Sequence, residues 1–163
     1  MTKGRLIRTF DYVNHPYDRV RDALRSNAVE IFQSATQAAA SRAHNVAGGL
    51  HVNIGGIKIG AEIDLTVHGM VEEEGRAGPV LRIDIEWAAA KAPRLFPLMN
   101  GRLDVYALSS SESQLDFSGQ YEPPLGLLGT AVDALVGHRI AEASVHRFVM
   151  DVAQYLRGKL GPA

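Results

Sequence analysis

The 163-residue chain has no cysteine. Disulfides, thiolate-bound zinc, iron–sulfur clusters and thiol catalysis are therefore excluded. It also has no run of Lys or Arg, and its 17 basic and 18 acidic side chains leave a net charge of −1. Sequence-independent nucleic-acid binding needs clustered positive charge against phosphates, so no nucleic-acid partner is expected. No apolar run approaches the roughly 20 residues of a membrane span. The opening "MTKGRLIRTF" moves straight into a strand-like pattern and carries no apolar signal core. A cytoplasmic protein without integral membrane association is the expectation. "GGIKIG" is not a phosphate loop, because it lacks the Lys-Ser/Thr ending and leads into a strand.

What is present is an ordinary globular balance, 46% hydrophobic and 21% charged residues, in a chain long enough to bury one core. No repeat or linker divides it, so residues 1–163 read as a single domain. "RLIRTFDYV" (5–13) is rich in β-branched and aromatic residues and predicts a strand. "NHPYD" then gives helix-start signals, with Pro16 at the first helical position and Asp18 in the first turn. Asn27 with Glu30 three residues on resembles a second cap, which predicts two short, closely joined helices ending at Asn45 and Gly48-Gly49.

From Ile57 to Val71 every odd position is apolar or glycine and the even positions are mostly polar. Such alternation predicts a long strand with one wet and one dry face. Leu50, Val52 and Ile54 alternate upstream, and Gly55-Gly56 between the runs suits a hairpin turn. Three further runs alternate in the same way: Leu81 to Trp87, Met99 to Ala107, and Leu115 to Tyr121. Short turn-rich loops join them, so the pattern is an antiparallel meander, covered on one face. "YEPPLGLLG" (121–129) stops the last strand, since proline cannot donate to a ladder. About thirty residues without proline follow, with an apolar stripe through Leu128, Val132, Leu135, Val136, Phe148, Val152 and Leu156. A helix that long must lie on the dry face of the meander. The fold class expected is α+β: a curved antiparallel sheet of six to seven strands wrapped around a long C-terminal helix, with two short helices after the first strand. This is the helix-grip arrangement.

"LFPLMNGRLDVYALS", "SQLDFSGQYEPPLGLLGTAVDAL" and "HRIAEASVHRF" resemble the START/Bet v 1-like helix-grip superfamily (SRPBCC), which includes polyketide cyclases and lipid-transfer domains. The resemblance covers nearly the whole chain in element order, and its specific part, the last seventy residues, is architectural. It implies an elongated apolar cavity between sheet and long helix, without fixing a ligand.

The dry face supplies the candidate cavity lining: Leu65, Val67, Ile83, Ile85, Trp87, Met99, Leu103, Val105, Phe117 and Tyr121, with Leu135 and Val136 from the helix. A filled core is the competing reading of the same residues. Ala61, Gly69, Gly101, Ala107 and Gly119 add small residues to the inner faces, and no Asp, Glu, Lys or His falls on the dry face of the well-patterned strands. General acid–base chemistry needs a titratable group within reach of substrate, so no catalytic residue is assigned. The first strand has ambiguous faces, and Arg8 and Tyr12 are the candidate polar anchors. His138, Glu142 and His146 recur at four-residue intervals on the C-terminal helix. They could ligate a metal, but the spacing is not HExxH, and a solvated His/Glu face is the favoured reading. Neither a metal nor a cofactor is expected.

The expected function is binding or transport of a small lipid-like or polyketide-like molecule by a monomer or homodimer. The alternatives are a cyclase or dehydratase in the same cavity, which needs Arg8, Asp11, Tyr12 or Tyr121 to point inward, and a protein-interaction module with a filled core.

Overall fold

A computed structural model describes residues 5–49, 63–89, 98–122 and 131–162, with backbone alone at 44, 46–49, 63, 89, 98, 122 and 131–136. The elements are β1 (Arg5–Val13), α1 (Tyr17–Gly49), β2 (Ile63–Gly75), β3 (Gly78–Ala89), β4 (Leu98–Ala107), β5 (Ser113–Glu122) and α2 (Ala131–Leu160). The strands form one antiparallel sheet in the order β1-β5-β4-β3-β2. The first strand thus pairs with the last, and α2 returns to lie along β1 and α1. This is the helix-grip fold. Five strands are present among the described residues, against the six to seven expected. The hairpin expected around Gly55-Gly56, the "PPLGLLG" turn and most of "AAAKAPR" lie outside the described residues.

Local chemistry explains the joints. The amides of Arg19 and Val20 donate to the Pro16 carbonyl at 3.1 and 3.2 Å, opening α1 where the sequence signals placed it. The two helices expected after β1 are two arms of one 33-residue element, bent at Asn27, whose φ of −140° and ψ of 27° are not helical. β2 and β3 meet at a turn between Gly75 and Gly78. Gly78 has φ of +120°, a backbone region open to glycine.

The alternation on β3, β4 and β5 holds. Leu81, Ile83, Ile85, Trp87, Met99, Leu103, Val105, Leu115, Phe117 and Tyr121 are all buried in one cluster with both helices. Phe148 of α2 sits at its centre, 4.8 Å from the Trp87 ring, 5.8 Å from Phe32 of α1 and 6.2 Å from Phe117. Edge-to-face and tilted contacts of this kind add to plain area burial.

On β2 the expected register fails halfway. Val67 pairs with Ile85, but Gly69 pairs with Asp84 and Met70 with Ile83, so a bulge falls at His68. An extra residue exchanges the two faces of everything beyond it. Leu65 and Val67 pack against the core as expected. Past the bulge Met70 packs inward instead, and Val71 is 53% exposed. Gly69 therefore leaves the inner face, and Glu72 joins it. There the Glu72 carboxylate accepts a hydrogen bond from the Tyr17 hydroxyl at 2.6 Å and faces Arg21 at 3.5 Å and Arg25 at 3.9 Å. The expectation of a dry face without charge is corrected at this point. Ala107 is exposed at the end of β4, not interior.

Candidate functional site

β1 settles its ambiguous faces by its contacts with α2. Ile7 and Val13 are buried, while Leu6, Phe10 and Tyr12 are exposed. Arg8 shares the outer face, its side chain 67% exposed and paired with Asp116 at 3.1 Å. The Tyr12 ring lies under the Arg157 guanidinium, 5.2 Å away, and its carbonyl accepts from Arg157. Neither Arg8 nor Tyr12 reaches the interior, so both are corrected as cavity anchors. Asp11 faces α2 but is held by Arg157 at 3.1 Å.

The interior polar groups lie elsewhere. Trp87, Met99 and Tyr121 form one cross-strand row on the inner face, Trp87 opposite Met99 and Met99 opposite Tyr121. Trp87 Nε1 and Tyr121 Oη are buried and have no hydrogen-bond partner among the described residues. Both side chains are almost wholly enclosed. The Tyr121 ring stacks 6.0 Å from the His138 ring at a tilt of 34°. His138 Nδ1 is a third buried atom without a partner. Burial pushes the Tyr121 phenol above its ordinary range, with Arg5 opposing the shift and Glu142 adding to it. An unpaired buried polar group costs about 1–3 kcal/mol, and three such atoms among the described residues lie in this part of the core.

The sequence groups His138, Glu142 and His146 on one solvated helix face with His/Glu pairing, and the His138–Glu142 pair is present, but the two histidines have different partners. His138 Nε2 meets Glu142 at 3.4 Å while its ring turns toward Tyr121. His146 Nδ1 instead meets Thr9 Oγ1 at 3.1 Å. No group of three metal-ligating side chains is found among the described residues. The side chains of Leu135 and Val136 lie outside the described residues. No described helix is long and apolar enough to cross a membrane.

An open depression of about 490 Å³ crosses the outer face of the sheet between Leu6 and His68. Asp84, Asn100, Arg102 and Gln120 line it, and the Arg102–Asp84 pair at 3.3 Å spans its floor.

No protein-family model and no curated protein sequence matches the chain. Solved structures do. A conserved protein from Geobacillus kaustophilus matches 93% of this chain and 95% of its own at 11% identity and a TM-score of 0.52. The Zhui aromatase/cyclase from Streptomyces sp. R1128 matches 96% of each chain at 9% identity and a TM-score of 0.47. Norcoclaurine synthase from Thalictrum flavum matches 98% of this chain and 89% of its own at 8% identity and a TM-score of 0.43. The first of these likenesses establishes the fold. The chain has the helix-grip fold.

Proposed function

We propose that the protein binds a small hydrophobic molecule at the Trp87–Tyr121–His138 end of the interior, as a carrier and not as an enzyme. The observation that carries this reading is the pair of enclosed polar atoms without a hydrogen-bond partner among the described residues, Trp87 Nε1 and Tyr121 Oη. A ligand there would gain apolar burial at about 25 cal/mol per Å² and satisfy those atoms. The carrier reading is supported over the cyclase one by three of the four groups that chemistry could use, since Arg8 and Tyr12 face out and Asp11 is ion-paired, while Tyr121 alone points inward. Phe148, with Phe32 and Phe117, packs the centre of the interior beside this site.

The test is native mass spectrometry of freshly purified protein, with organic extraction, alongside titration of Trp87 emission with an apolar probe. A co-purifying small molecule or a saturable shift in emission is expected. Absence of both would favour the interaction-module reading.

A further inference from the structure

We propose that this site selects a ligand with one uncharged hydroxyl on an apolar body, seated between Tyr121 Oη and His138 Nδ1. The inference rests on the binding reading above and adds the chemistry of the bound group.

The assignment follows from what each atom can offer. His138 Nε2 lies 3.4 Å from Glu142 Oε1. A carboxylate only accepts, so the neutral tautomer that suits this contact has its proton on Nε2 and leaves Nδ1 as an acceptor. Nδ1 is buried, and no described residue donates to it. The Tyr121 hydroxyl, stacked against the same ring, can donate, and Trp87 Nε1 can only donate. The wall therefore presents one acceptor beside donors. A ligand hydroxyl matches both at once, donating to His138 Nδ1 and accepting from Tyr121 Oη. An ether or ketone accepts but leaves Nδ1 unmatched. A carboxylate would set its charge against the Nδ1 lone pair and the Glu142 carboxylate behind it. The cation facing Tyr121 is Arg5, its cross-strand partner, which is exposed at the end of β1.

Discrimination by such a site is steep, because the wrong ligand leaves buried polar atoms unpaired. The experiment is calorimetric titration at pH 7 with four probes of nearly one shape: thymol, its methyl ether, p-cymene and cuminate. Thymol is expected to bind at least about tenfold more tightly than the ether or p-cymene, since one hydrogen bond and one avoided orphan together exceed 1.4 kcal/mol. In Tyr121→Phe and in His138→Leu, thymol and p-cymene should bind alike, a ratio that a merely structural role would not move. Equal affinities for thymol, ether and p-cymene in the wild type would overturn the inference and leave the binding reading standing. Tightest binding of cuminate would overturn it in favour of an anionic ligand. Failure of all four to bind, with no response from Trp87, would remove both. The wild-type series needs no variant, so a substitution that fails to fold does not rescue the proposal.

Discussion

The Phe117 ring lies across Gly101 on the neighbouring strand, in the space where a side chain would stand. The same ring lies beside Gly119, where an added Cβ would meet Phe117 Cε1 at 2.9 Å and Met99 Sδ at 3.0 Å. Phe117 is itself buried and packed on Phe148, so it cannot swing aside without repacking the core. Gly101→Ala should destabilise the protein by about 1–3 kcal/mol, the usual cost of overpacking. Adding Phe117→Leu should make the double variant less unstable than the sum of the singles. Urea denaturation of the four proteins in a double-mutant cycle measures this coupling.

Acid should release the contact between α1 and β2. The Tyr17 hydrogen bond, and then the Arg21 and Arg25 guanidinium groups, hold the Glu72 carboxyl below its ordinary range. A depressed folded value means that the contribution is complete above the ordinary glutamate range and is lost as pH falls through the lowered value. Wild type should therefore exceed Glu72→Gln in stability at neutral pH, and the gap should close below about pH 4. A gap independent of pH, in denaturation midpoints taken from neutral to strongly acid solution, would refute this role.

The C-terminal end of α2 is bolted to the turn before α1. His15, which is buried, meets the Gly161 carbonyl through Nε2 at 2.8 Å, and Arg19 donates to the Leu160 carbonyl at 3.0 Å. Ser113 donates in turn to the His15 carbonyl at 2.8 Å. His15→Ala should cost about 1–3 kcal/mol by leaving an acceptor unpaired. His15→Gln, which can place an amide donor near the position of Nε2, should recover part of that loss. Amide exchange in the last turn of α2 reports the effect locally.

The bulge in β2 can be tested with two neighbouring residues. Val71→Thr should change stability by no more than about 0.5 kcal/mol, as for an exposed site. Met70→Ser should cost about 1–2 kcal/mol through lost apolar burial. The uninterrupted alternation read from the sequence predicts the reverse order, so thermal or urea unfolding of the pair decides the register.

The faces of β3, β4 and β5 were legible because each alternates cleanly and each packs on one side only; Ile83, Leu103 and Phe117 needed no other information. β1 was not legible. Its two faces carry similar apolar content, and the deciding contacts come from Arg157 and His146, far along the chain. In β2 one signal was available, because an isolated glycine inside a strand often marks a bulge. Gly69 was read instead as a small inner-face residue. The site itself was half legible. Tyr121 stood out by alternation, but pairing it with His138 requires the rotation of α2 about its own axis relative to the sheet. Helical spacing gives which residues share a stripe, and it does not say which way the stripe turns.

The single inserted residue at His68 also sets how β2 responds to changes in chain length. Substituting His68 alters one exposed side chain, which pairs with Glu86 at 3.3 Å. Deleting it would remove the bulge and keep the pairing beyond it, because Gly69 would follow Val67 as the next outward residue while Met70 and Glu72 stayed inward. For this stretch the number of residues matters more than their identity, and a variant lacking His68 keeps Glu72 facing Tyr17.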